Sequence, residues 1–273
     1  MKRLILTLAL AIIVSSGCNY EKPVESTILG DGTPYSNSPE IMNGKVKTVV
    51  EKNYWAIPYG ESFKKGNPLT KADRDSIGGW TDDFDAVYDE NGVIVVCTAL
   101  DENNNSIWKN ESMIENKMVV KRNLIIKDTL RYTDQFKYGE NGFLISGSRI
   151  RAGVDTLMIS VTIKTNSVGY PTEIQLFNPK GEATVKYVQT YDGQNKFTKF
   201  ETINKDGKTT YSYEVKYNEK GKVSELNLRD KDNKVSSNYF TYEYDKKGNW
   251  IKAIVKDDKN HVVIEERSYT YFE

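Results

Sequence analysis

A chain of 273 residues, 38% hydrophobic and 28% charged, has the size of one large globular domain behind a leader. Its 38 basic residues balance 38 acidic ones without any block of like charge, which removes the electrostatic footprint of a nucleic-acid binder. One histidine and two cysteines exclude the common zinc and copper ligand sets, so no metal or cofactor is implied.

The N-terminus reads as an address. Lys2 and Arg3 form a basic start, residues 4–14 are apolar apart from Thr7, and small residues follow at Ser15-Ser16-Gly17. An apolar run of about eleven residues is too short to span a bilayer, so residues 1–17 are expected to be a signal peptide. The small residues before Cys18 resemble the bacterial lipobox, with Ser15 where Leu is commonest. That resemblance implies cleavage before Cys18 and acyl chains (palmitate among them) on its sulfur and new amino group, a membrane anchor through the N-terminal lipid. Residues 18–44, rich in Pro, Ser, Gly and Asn, are expected to be a flexible tether. Asn19 is not the Asp that retains some lipoproteins in the inner membrane, so an outer-membrane location is expected, with the periplasmic or surface face left open.

Residues 45–83 precede the regular part of the chain. Val46 to Trp55 alternates enough to predict a first strand. Pro58 to Gly79 is expected to form a long loop, with a short helix at 71–77 that caps or plugs the sheet.

From residue 84 to 273 the sequence repeats about every 26 residues, the signature of an array of one supersecondary unit. The clearest copies are Tyr88-Asp-Glu-Asn-Gly92, Tyr138-Gly-Glu-Asn-Gly142, Tyr217-Asn-Glu-Lys-Gly221 and Tyr244-Asp-Lys-Lys-Gly248; Thr165, Tyr191 and, faintly, Met113 open the others. Midway between them lie further Asn/Asp/Gly breaks, such as Asp101-Glu-Asn-Asn-Asn105 and Asp257-Asp-Lys-Asn-His261. Asn, Asp and Gly tolerate the positive φ that tight hairpins need, and Asn195 standing in for Gly fits that requirement. Each unit is thus strand, turn, strand, turn. Tyr211, Tyr213, Val215 and Tyr217 share one strand face, as do Phe240, Tyr242 and Tyr244, and Phe84, Ala86 and Tyr88. These stripes read as core packing, with a carbohydrate-stacking platform as the alternative. The expected fold is all-β: an antiparallel sheet of about 14 strands in about seven hairpin units, curled into a barrel-like or spiral shell because so wide an open sheet is unusual.

The segment Phe240-Thr-Tyr-Glu-Tyr-Asp-Lys-Lys-Gly-Asn-Trp250 resembles the YD (RHS-type) repeat, with Asn249 where long RHS proteins usually carry Arg. It is also similar to small repeat lipoproteins of Bacteroidetes whose function is undefined. The resemblance implies the β-repeat architecture. It does not imply a cargo-enclosing shell, for which seven units without a cargo domain are too few.

Catalysis is weighed by elimination, and no enzyme is expected. His261 sits beside a turn, where a solvated residue is the plain reading, and a triad would have to be built on it alone. Asp82, Asp83 and Asp85 could serve a glycan hydrolase, which needs two carboxylates, but their alternation with Phe84 reads as a solvated strand face. Cys97 lies in an apolar run and reads as a buried small hydrophobe. Asp75-Ser76-Ile77, Asp128-Thr129-Leu130 and Asp155-Thr156-Leu157 look like the Bacteroidetes O-glycosylation acceptor pattern, which marks Ser76, Thr129 and Thr156. The leading expectation is an envelope lipoprotein whose non-catalytic β-repeat domain binds an envelope protein or a glycan. The alternatives are an immunity-like or accessory protein of a toxin system and the carboxylate-dependent hydrolase.

Overall fold

The computed structural model describes residues 42–77 and 82–273. The expected signal peptide, Cys18 and most of the tether lie outside the described residues. The chain begins with β1 (Val46–Tyr59), β2 (Ser62–Pro68), a short helix α1 (Lys71–Ser76), β3 (Asp83–Tyr88) and β4 (Ile94–Leu100). Next come β5 (Ser106–Glu115), β6 (Met118–Ile126), β7 (Thr129–Tyr138), β8 (Leu144–Arg151), β9 (Thr156–Thr165) and β10 (Pro171–Phe177). The remainder forms β11 (Ala183–Tyr191), β12 (Phe197–Ile203), β13 (Thr209–Tyr217) and β14 (Val223–Asp230), then β15 (Val235–Tyr244), β16 (Trp250–Asp257) and β17 (Val262–Tyr271).

From β3 to β17 each strand pairs antiparallel with the next. β1 closes the ring, pairing with β17 through Val46–Trp55 on one side and with β3 through Thr48–Glu51 on the other. The fold is a closed barrel of 16 strands, with β2 as a seventeenth hairpinned onto the end of β1. The expected barrel-like shell is therefore present, closed and not an open spiral. The expected count of about 14 strands is low by three. Seven turns with a strand on either side account for β3 to β16; β17 and β1 form an eighth hairpin split between the two ends of the chain, which no local turn announces. Residues 58–68 correct the expected loop: they finish β1, turn, and form β2. Pro58, Gly60, Gly66 and Pro68 read as breakers, but a Cβ on Gly66 would lie 2.8 Å from the Trp55 carbonyl, so glycine permits this close pairing.

One turn chemistry recurs. Asp245 Oδ1 accepts from the backbone N–H of Lys247 at 2.9 Å and of Asn249 at 2.8 Å, while Gly248, at φ 85°, donates to the Asp245 carbonyl. This is a type I turn followed by a residue in the left-handed region, which bulges the next strand. The same bonds hold at Asp89, Asp192 and Asn218, and Asn104, Asn195, Asn233 and Asn260 take the left-handed place elsewhere. The tyrosines serve the bulges. The hydroxyls of Tyr138, Tyr217, Tyr242 and Tyr269 donate to the carbonyls of Val119, Phe197, Val223 and Trp250, each at the start of the preceding strand. A tyrosine per unit is thus a hydrogen-bond donor as well as an apolar body.

Side chains alternate across the wall. Phe240, Tyr213, Phe200, Leu226, Val255 and Val263 are buried inside, while Thr241, Glu243 and Glu214 on the same strands face out. The aromatic stripes are therefore core, as the first of the two sequence readings has it. Leu69 and Ile77 flank α1 and pack into the same aromatic cluster, so this segment plugs the barrel interior. α1 itself starts on a capping box between Thr70 and Asp73. The tether ends sooner than residue 44: Met42 is buried, and Asn43 exchanges bonds with Asn249, whose side chain accepts from Asn43 N–H at 2.6 Å and donates to its carbonyl at 2.9 Å. The Asn249 that departs from the RHS pattern is the residue that pins the incoming chain.

Candidate binding cleft at the barrel mouth

Two of the sequence-derived carboxylates, Asp82 and Asp83, share Arg74. Asp83 is 2% exposed, which overturns the solvated-face reading. It sits where β3 leaves β1 and β2 takes over, and its Oδ1 accepts from Arg74 Nη2 at 2.8 Å and from Asn53 N–H at 3.0 Å, with Lys52 Nζ 3.4 Å from Oδ2. Fully committed to that fork, it has a structural role. Asp82 faces Arg74 Nη1 at 3.6 Å, and burial pushes its carboxyl up against the pull of that arginine. Asp85 pairs across to Thr98 on β4, on the face opposite Phe84. His261 is a clamp for its own turn, its Nδ1 2.7 Å from Asp257 Oδ2 and its ring edge-on to Trp55. Cys97 is a free thiol on β4, and burial pushes it up to about 12, so it stays protonated and inert at neutral pH. Asp101, which could suggest calcium, instead accepts from the amides of Asn103 and Asn105, and the Asn105 side chain above all holds its carboxyl below the usual range.

Inside the barrel the remaining arginines each stand against a carboxylate. Glu51 and Arg267, both fully buried, meet at 2.7 Å beneath Trp250, whose ring lies 3.9 Å from the guanidinium. On β6, β7 and β8 a row runs Arg122, Asp134, Arg149: Arg149 grips both oxygens of Asp134 at 2.7 and 2.9 Å, and Arg122 Nε stands 3.7 Å away. Two cations on one carboxylate leave this row positive.

That row leads to an open cleft of about 810 Å³ at the end of the barrel opposite the point where the chain enters at Met42. Its sides are the β6–β7 turn at Lys127-Asp128 and the β8–β9 turn that follows Arg151. Arg131 and Arg151 line it and are exposed, and neither guanidinium has an ion-pair or hydrogen-bond partner among the described residues. Tyr132 lines it too, steadied by the Arg149 guanidinium 5.4 Å from its ring centre. The backbone is fixed by Ala152 N–H donating to the Arg131 carbonyl at 3.0 Å. Exposed Leu130, Val154 and Leu157 stand around it, and Ile57, Tyr59 and Val235 are exposed at this same end. Sequence reasoning gave these residues no binding role because they lie outside the recurring Tyr-Asp-x-x-Gly motif. A signal was present nonetheless: half of the eight arginines, at 122, 131, 149 and 151, fall within β6 to β8 in a chain otherwise rich in lysine.

The glycosylation candidates Ser76, Thr129 and Thr156 are all exposed, and Thr129 lines the cleft. Lys–Glu pairs decorate the outer wall, such as Lys216–Glu225 at 2.9 Å, Lys252–Glu243 at 2.7 Å and Lys164–Glu173 at 2.9 Å. A barrel that crosses a membrane turns an apolar band outward, and this wall does the reverse.

No family model matches the chain, and no curated protein matches it. Among solved structures it is similar to a porin-like protein from Bacteroides uniformis, at 10% identity and a TM-score of 0.39, over 84% of this chain and 99% of that one. A porin-like protein from Bacteroides vulgatus aligns at 11% identity and a TM-score of 0.38, over 83% and 99%. A putative outer membrane lipoprotein-sorting protein domain from Vibrio parahaemolyticus aligns at 7% identity and a TM-score of 0.27, over 83% and 87%.

Proposed function

We propose that this protein is a non-catalytic binding module of the cell envelope, held to a membrane by lipid on Cys18 and presenting the cleft end of its barrel to a protein or glycan partner. The observation that carries the reading is the unequal distribution of unsatisfied surface. The outer wall carries Lys–Glu pairs, the interior is packed with a buried charged row whose surplus is positive, and the mouth gathers unpaired arginines with exposed Leu130, Val154 and Tyr59. Unpaired guanidinium groups beside apolar side chains are the composition of a recognition surface. The described chain enters the barrel at the other end, at Met42, away from the mouth.

The test uses the full chain in detergent against solubilised envelope and glycans of its own host. A saturable partner is expected, lost on Tyr59→Ser with Leu130→Ser and retained on Lys216→Gln in the outer wall. A partner indifferent to the mouth substitutions would overturn the mouth as the recognition face. Hydrolysis of an oligosaccharide panel that disappears in Asp82→Asn would overturn the non-catalytic reading. Separately, Cys18→Ser is expected to release the protein from membranes; unchanged retention would remove the lipid anchor.

A further inference from the structure

We infer that the mouth cleft binds a saccharide bearing an anionic group, a carboxylate or a phosphate, with Arg131 and Arg151 as its anion-holding residues. The inference rests on the reading of the mouth as a recognition face and gives that face its ligand chemistry.

Charge comes first. Arg74, Arg122, Arg149 and Arg267 each stand against a carboxylate inside the barrel, but Arg131 and Arg151 do not. Guanidinium groups bind oxyanions in a planar, two-pronged fashion that lysine cannot reproduce. Behind them, Arg122 and Arg149 share the single Asp134, so the buried row adds positive potential to the cleft floor where solvent screening is weak.

Size and wall chemistry then argue for more than a bare anion. At about 810 Å³ the cleft lies in the range of small-molecule sites and far exceeds the needs of one phosphate ion. Asp128 and Thr129 on its edge can accept hydrogen bonds from hydroxyl groups, while Tyr132, Ile126 and Ala152 offer apolar surface to the C–H face of a sugar ring. Asp128 also works against a dense polyanion, which favours one acidic group on an otherwise neutral, hydroxylated ligand. The backbone of the site is preorganised. Thr129 Oγ1 donates to the Lys127 carbonyl, and the Arg131 backbone is tied to Ala152, so the ligand has chiefly the two arginine side chains to order.

Calorimetry on the full chain would use four probes: galacturonate, galactose 1-phosphate, galactose and inorganic phosphate. Galacturonate or galactose 1-phosphate is expected to bind saturably and at least about tenfold tighter than either galactose or inorganic phosphate; whichever of the two wins names the anionic group. Arg131→Gln and Arg151→Gln are each expected to weaken that binding about tenfold, a change of one hydrogen-bonded charge contact, while Arg229→Gln on another strand leaves it unchanged. Melting temperatures of the variants, expected to equal that of the parent, separate loss of contact from loss of fold. Equal affinity for galactose, equal affinity for inorganic phosphate, absence of binding by all four probes, or indifference to both arginine substitutions would each overturn the inference. If an envelope partner is still captured through the mouth in that event, the proposed function stands and only its ligand chemistry falls.

Discussion

Arg267 is a cation in the interior of a barrel, and its surroundings explain how it is tolerated. Its Nε donates to Glu51 Oε2 at 2.7 Å, and its guanidinium lies 3.9 Å from the Trp250 ring centre and 5.6 Å from that of Phe84. A buried pair gains little net stability over an apolar pair of the same shape, but removing one partner strands the other charge in a low-dielectric site. Glu51→Gln is therefore expected to destabilise the fold by about 3–5 kcal/mol, and Glu51→Leu with Arg267→Met to recover most of that loss. Urea unfolding would read both; a single variant as stable as the parent would show the pair to be solvated. This pair spans 216 positions of sequence, so nothing local joins its members. What the sequence did contain is a parity cue: Glu51 and Asn53 stand in the same alternation as Val49, on the inward face. Read that way, a charge in an apolar register points to a buried partner. Arginine supplies that partner because its guanidinium is less strongly hydrated than an ammonium, which is why lysine keeps to the outer wall.

At the scale of the element, the hairpin unit was the most legible part of the molecule. The Tyr-Asp-x-x-Gly turns, their Asn substitutes and the inward aromatic stripes all follow from backbone conformation and two-residue periodicity, both local properties. Two of the hairpins that escape the rule share a different turn. Asn116-Lys117 and Lys127-Asp128 both place two non-glycine residues at positive φ, 51° and 66° in the first and 49° and 56° in the second. Two-residue turns of this kind favour Asn-Gly, and side chains with a Cβ are strained in the left-handed region. Lys127→Asn with Asp128→Gly is therefore expected to stabilise the protein by about 1 kcal/mol, read as a raised melting temperature. An unchanged or lower melting temperature would mean that the Lys127 and Asp128 side chains already offset the strain through contacts of their own. β2 was illegible for the opposite reason: its residues carry loop chemistry, and they become a strand because the protruding half of β1 has backbone groups left to pair.

For the whole molecule, the choice between barrel and spiral hangs on Val46 reaching Tyr271, a contact no repeat encodes. Once made, it joins the two chain ends in one hairpin, and the unit-by-unit device continues across it, with Tyr269 bonding the Trp250 carbonyl and Lys247 over the Tyr271 ring. A ring without free ends should open as a unit, and alkali offers a direct test. Burial raises Tyr187, Tyr191 and Tyr211 above the ordinary phenol value of 10.0. A folded-state value above the unfolded one means that the folded protein holds its protons more tightly. The associated stability is fully present below about pH 10, where unfolded tyrosines begin to ionise, and is lost as pH rises beyond it toward the folded values. These three tyrosines lie on β11 and β13, strands that the ring ties to every other. Their ionisation is therefore expected only with global unfolding: tyrosinate absorbance from these residues and loss of β-sheet circular dichroism should rise in one coincident step above pH 10. A gradual titration of every tyrosine near pH 10 with the dichroism intact would mean that water reaches the barrel interior, and the closed, packed ring would have to be abandoned.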